Sequence, residues 1–308
     1  MESDAVRPPS LPRRRRAKTP GAAAGPVVAL PLPPPRWLRA AGAQDMEEAA
    51  FFSGAALAHL TLALAMPDLP HPLWRERLAL SAAEACARLT GRRERAADLR
   101  DAVHLTRPGE QPGPGGEILQ IWRRAVAAPA AGAVRHALGE GAEALPAPIA
   151  GAAGPVARAA AMIEAVLAEN PRAETVALLR GDAALARALD WPHLVPLMAG
   201  ALGSRDLRLQ GAALRLACHR GLAEFAPRAA QMTLDLTRRA RRLREVAPQL
   251  RAKAAGRAVE ILLARDAVTP AAFDFMSDRA ARRLCDRLVA LGGVQELTGR
   301  ESFRLYGL

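Results

Sequence analysis

Alanine is the commonest apolar residue in this chain, and that narrows the fold more than any motif does. Ala loses no side-chain entropy in a helix, whereas the β-branched and aromatic residues that favour strands are few; aromatics are 4%. The expectation is a mainly α protein. At 308 residues the chain can bury a sizeable core, and its length suggests two domains.

The net charge of +12 points towards an anionic partner, but its origin matters. Lys18 and Lys253 are the only lysines, and Arg in place of Lys is what GC-rich coding produces. The pI of 11.2 is therefore partly a coding effect. Position is more telling. Residues 1–36 hold 7 Lys/Arg against 2 Asp/Glu, residues 228–308 hold 16 against 9, and residues 37–227 hold 20 of each. A neutral body thus carries two basic ends.

Residues 1–36 are rich in Pro, Ala and Arg, and no apolar periodicity runs through them. A disordered, basic tail is expected there. Arg13–Arg16 ahead of Gly21–Leu32 has a faint look of an export signal, but Pro26 and Pro31 interrupt the stretch. No apolar run reaches the ~20 residues that span a bilayer, so no membrane partner is expected. Cys86, Cys218 and Cys285 stand far apart in apolar helical patterns, which fits buried thiols in a reducing cytoplasm and no metal.

Helical periodicity begins at Asp45, a candidate N-cap, and Pro67 ends it. Further helices are predicted over Trp74–Thr90, Glu94–Val103, Glu117–Ala127, Val156–Glu169, Ala173–Leu189, Pro192–Leu202, Arg205–Ala223 and Arg228–Val246. Pro129–Pro155 has the composition of a linker or loose hairpin. Beyond it, Arg251–Arg265 reads as a helix, and Thr269 with Pro270 opens a short one to about Met276.

The C-terminal stretch is the most specific. Ser277 caps an amphipathic helix on which Ala281, Leu284, Leu288 and Leu291 share one face. Arg279, Arg282 and Arg283 point away from that face, as does Asp286, which can pair with Arg282 or Arg283. Gly292-Gly293 stops the helix. Two strand-like runs follow, Val294–Leu297 and Phe303–Tyr306, with Arg300 at the turn between them and Arg304 beside it. Helices followed by a hairpin make the plan of a winged helix-turn-helix, a fold that reads nucleic acid and also serves protein contacts. The candidate DNA-contacting residues are Arg279, Arg282, Arg283, Arg300 and Arg304. The run Arg238, Arg239, Arg241, Arg242, Arg244 fits phosphate contact as well as a solvated face.

No P-loop, dinucleotide fingerprint, HExxH or GxSxG occurs, and the six histidines are scattered. No catalytic, cofactor-binding or metal-ligating residue is assigned. A site assembled from Glu84, Arg88 and Asp98 is the enzymatic alternative, although Glu84 and Arg88 also suit a surface pair one turn apart.

The stretches WLRAAGAQDMEEAAFFSGAALAHL (Trp37–Leu60), Leu73–Gly116 and Ser277–Leu308 resemble a bacterial family known as domain of unknown function 1403. That resemblance implies a helical protein and supplies no activity. Leu288–Leu308 is more weakly similar to the winged helices that follow Fic domains, yet the HxFx(D/E)GNGR sequence of Fic enzymes is missing. The expectation is a tail (1–36), a multi-helix body (37–250) and a small winged-helix-like module (251–308). It would be a cytoplasmic, non-enzymatic protein whose partner is duplex DNA. The alternative partners are another protein or a second copy in a homodimer.

Overall fold

The structure is a computed structural model and describes residues 33, 35–38, 45–107, 109–140, 154–250, 254–300 and 303–308. The tail expected over 1–36 lies almost wholly outside these, as do residues 141–153 of the expected linker and 251–253 of the expected helix.

Among the described residues the protein is a helical assembly with one two-stranded sheet. The helices are α1 (Met46–Leu64), α2 (His71–Leu89), α3 (Ala96–Leu105), α4 (Gly113–Ala127), α5 (Ala133–Leu138) and α6 (Pro155–Glu169). Then come α7 (Glu174–Ala188), α8 (Met198–Ala201), α9 (Gly211–Val246), α10 (Ala255–Ala264) and α11 (Asp278–Ala290). The strands are β1 (Gln295–Glu296) and β2 (Tyr306–Gly307). As expected, Asp45 caps α1, its Oδ1 accepting from the Glu48 N–H at 2.8 Å.

The axis of the fold is α9, 36 residues and so about 54 Å long. The sequence predicts separate helices ending at Ala223 and starting at Arg228, but one continuous helix runs through that gap with Pro227 buried inside it. A mid-helix proline loses a hydrogen bond and costs about 3 kcal/mol. Leu214, Leu222, Leu234, Leu236, Leu243 and Val246 are buried along the same helix, each contributing about 1.5–3 kcal/mol, so packing wins.

Beside α9, α1 runs in the same direction: Ser53 meets His219 near the start and Asp68 meets Arg241 near the end. Trp74 of α2 is buried against α9 and donates from Nε1 to the Ala229 carbonyl at 3.3 Å. The short α8 crosses α9 at glycine contacts; a Cβ on Gly221 would stand 2.2 Å from the Ala201 carbonyl oxygen.

A helix predicted over Pro192–Leu202 shrinks to the four residues of α8. Prolines 192 and 196 favour extended backbone, and Leu194, Val195 and Leu197 enter the core in that form. Pro129 and His193 form a bridge there. The short helix expected from Thr269 to Met276 is a single 3-10 turn, Pro270–Ala272, with no side-chain cap from Thr269.

The C-terminal segment shares the core of the rest: Val259, Leu262, Phe273, Leu284, Leu288 and Tyr306 join the hydrophobic cluster that contains Trp74 and Trp122. β1 and β2 pair antiparallel, Gln295 opposite Gly307 and Glu296 opposite Tyr306. On the other side of β2, Tyr306 and Val268 exchange two backbone hydrogen bonds of 2.8 and 2.9 Å. Gly307 permits that approach, because a Cβ there would meet the Asp266 carbonyl oxygen at 2.5 Å.

Candidate functional site

Ser277 opens α11 as expected, its Oγ accepting from the Ala280 N–H at 3.4 Å. Ala281, Leu284, Cys285 and Leu288 bury one face. The helix ends in a two-bond stop, Gly292 N–H to Val289 O and Gly293 N–H to Leu288 O, with Gly292 at φ 67°. Docking on that face leaves Arg279, Arg283 and Arg287 exposed along the opposite one at four-residue steps. None of the three has an ion-pair partner among the described residues.

The other expected contacts are differently placed. Arg282 is exposed but pairs with Asp278 at 3.0 Å. Arg300 at the hairpin turn reaches back to Asp101 of α3 at 2.8 Å. Arg304 lies 3.5 Å from Asp286 and 3.9 Å from Glu296. Asp286 therefore meets Arg304, not Arg282 or Arg283. The three guanidiniums are themselves largely in solvent, so these cations are partly neutralised but not locked. Arg287 lies outside the candidates read from the sequence, which sit near the start of the helix and in the hairpin; its four-residue spacing from Arg283 is the signal that places it in this row.

The arginines of α9 do fastening work. Arg239 donates to Gln295 Oε1 at 3.2 Å and Arg242 to the Leu291 carbonyl at 2.9 Å, holding the end of α11 and the hairpin. Arg241 grips Asp68 at 2.8 Å, Arg244 donates to the Asp68 carbonyl at 3.4 Å, and Arg238 pairs with Asp235. The run is neither a free phosphate comb nor a merely solvated face.

A second charged cluster lies where α2, α3 and α4 meet the chain after α10. Asp266, 6% exposed, takes Arg77 Nε and Arg100 Nε at 2.5 Å each. Arg77 also donates to the Leu308 carbonyl at 2.9 Å, and Glu76 pairs with Arg123 at 2.8 Å. Burial pushes the Asp266 carboxyl up, but the bonds from Arg100 and the charge of Arg77 outweigh it and hold it below the usual range. Burial raises Glu76, and Arg123 offsets part of that. Burial, then the charge of Arg123, lowers His104. Glu76, Arg100, His104, Arg123 and Asp266 line, with Leu80 and Leu119, a cleft of only about 10 Å³ of free interior, about one water's room. Both carboxylates are engaged by guanidiniums, and the network ties the C-terminal segment to the body.

Two of the three residues of the enzymatic alternative, Glu84 and Asp98, meet at Arg95, and no ion pair joins Arg88 to either among the described residues. Glu84 faces Arg95 at 3.4 Å, not Arg88, and Asp98 accepts from the Arg95 N–H at 2.8 Å at the start of α3. Ser53 Oγ stands 2.7 Å from His219 Nδ1, but Ser53 is 0% exposed and a substrate has no approach to it. Cys86, Cys218 and Cys285 are buried; burial pushes their thiols up to about 11, 12 and 12. Among the described residues no His, Cys, Asp and Glu group could hold a metal ion, and no helix is long and apolar enough to cross a membrane.

A family model described as "Protein of unknown function (DUF1403)" matches residues 29–308, and the chain belongs to that family. No curated protein and no solved structure matches it.

Proposed function

We propose that this member of the DUF1403 family is a non-enzymatic, nucleic-acid-binding protein that meets duplex DNA with residues 251–308. The observation that carries the reading is the exposed stripe Arg279, Arg283, Arg287 on a helix whose other face is fixed in the core. Guanidiniums in such a row can bond phosphate oxygens or the O6 and N7 edge of guanine.

The order of the surrounding elements supports it. α10, the Val268 bridge, the 3-10 turn, α11 and the β1–β2 hairpin follow one another, with β2 between Val268 and β1. That sequence of elements resembles a winged helix-turn-helix with a 3-10 turn in place of its middle helix, a fold in which the recognition helix enters the major groove and the hairpin flanks it. On this reading α11 is the recognition helix. Arg282, Arg300 and Arg304 exchange their carboxylates for phosphates as the duplex arrives. The Asp266 network and the Arg239–Gln295 bond keep the module from swinging on the body. Its work would be in the bacterial cytoplasm.

The test is binding of a labelled duplex at low salt by the wild type and by a variant with Arg279, Arg283 and Arg287 changed to Ala. We expect the variant to bind at least about tenfold more weakly, with circular dichroism unchanged. A wild type that binds no duplex at low salt overturns the reading.

A further inference from the structure

The first long helix carries an unusual face. From Ala49 to Met66 the chain has no Asp, Glu, Lys or Arg, yet α1 is only half covered. A helix that is apolar all round is ordinarily buried all round. Here Ala49, Ser53, Ala56, Leu57, Leu60 and Ala63 face the core, while Phe51 is 62% exposed and Leu62 69% exposed on the other side. These two lie eleven residues apart, three turns of helix, and so on one line. Ala58 is exposed between them, and a Cβ added to Gly54 would meet nothing within 4 Å. The face therefore reads large, small, small, large. Trp37, 56% exposed, extends it, with its ring 6.1 Å from that of Phe51.

We infer that this face of α1 is a self-association surface, occupied by α1 of a second copy in antiparallel, twofold pairing. The layout is self-complementary about a point between Ala56 and Leu57, as an isologous interface requires. Antiparallel pairing about that point sets Phe51 of each copy against Leu62 of the other. The small residues Ala55 and Ala58 then lie where the helices approach most closely.

The charges at the two ends of the helix select this occupant. Asp45 and Glu47 stand exposed at its start. At its finish Arg241 and Arg244 of α9 gather at Asp68, with Arg244 exposed and Arg241 partly so. Antiparallel pairing lays the acidic start of each helix over the basic finish of the other, twice per dimer. Parallel pairing would bring acid to acid and base to base. The inference does not rest on the reading of residues 251–308.

Sedimentation equilibrium of the full chain at tens of micromolar should give twice the 32.6 kDa chain mass. Phe51→Asp with Leu62→Asp should raise the dissociation constant at least tenfold with circular dichroism unchanged. Glu47→Arg and Arg244→Glu should each weaken the dimer, and combining them should restore it. Orientation is read by cross-linking with a short bismaleimide, for which the three buried native thiols give little background. Ala58→Cys lies near the twofold axis and should link the two copies. Glu47→Cys, about 28 Å from its mate along the helices, should not. A monomeric wild type overturns the inference, as would the chain's own residues covering the face. So does a dimer unaffected by the two aspartates, or equal linking at positions 47 and 58.

Discussion

Arg300 at the tip of the hairpin and Asp101 on α3 form an ion pair of 2.8 Å, with Asp101 15% exposed and Arg300 53%. On the proposed reading Arg300 is the wing cation, and this pair holds it to the body. Asp101→Asn should release it. The expected result is tighter duplex binding at low salt and a log affinity against log salt slope steeper by up to about 0.9. Fluorescence anisotropy across a salt series measures both.

Asp266 is the anchor between body and C-terminal segment, with Arg77 and Arg100 both on it. Asp266→Ala strands two half-buried guanidiniums. Removing one partner of a buried pair costs about 3–5 kcal/mol, and urea unfolding should show a loss near the lower bound because Arg77 is part-exposed. The depressed carboxyl adds a pH signature. Its stabilisation is present above the unfolded value near pH 4 and is lost as pH falls towards the folded one. Asp266→Ala should therefore show less acid sensitivity than wild type.

Two glycine-to-alanine changes in helices should have opposite signs. At Gly221 the new Cβ meets the Ala201 carbonyl oxygen at 2.2 Å, and backbone of α8 cannot give way cheaply. At Gly256 it meets nothing within 4 Å. Gly221→Ala should destabilise by about 1–3 kcal/mol and Gly256→Ala should stabilise by about 0.5–1 kcal/mol. Thermal or urea unfolding separates the two.

Local signals in the chain were readable where the chemistry is local. Asp45 and Ser277 are the caps the sequence predicts, Gly292 stands at the predicted stop, and the docking face of α11 follows from its spacing. What was not legible depends on distant partners. The gap predicted between Ala223 and Arg228 is bridged in α9 because packing on both sides outweighs the cost of Pro227. The arginines of α9 read as one basic run because their partners, Asp68, Gln295 and the Leu291 carbonyl, lie about 50 to 170 residues away. The Asp266 network joins four separate segments and leaves no spacing pattern. The α1 face was legible in part: the missing charges are in the sequence, but which side stays exposed is fixed by α9.

Asp182 is 0% exposed, and its Oδ1 accepts from the Leu197 and Met198 N–H groups at 3.0 and 2.9 Å, capping α8. Its Oδ2 has no hydrogen-bond partner among the described residues. Burial holds this carboxyl well above the usual range, more strongly than the two N–H bonds lower it. The folded protein then keeps a proton that the unfolded chain gives up near pH 4, so stability falls as pH rises from about 4. Asp182→Asn retains the acceptor and removes the titration. Urea unfolding from pH 4 to 8 should lose up to about 1.4 kcal/mol per pH unit of slope in the variant.

The most direct test of the DNA-binding account is the salt dependence of duplex affinity for wild type and for the variant with Ala at Arg279, Arg283 and Arg287. If these three meet phosphates, their loss should flatten the slope of log affinity against log salt by up to about 2.7. An equal slope and equal affinity in the two proteins, with both folded, would contradict it.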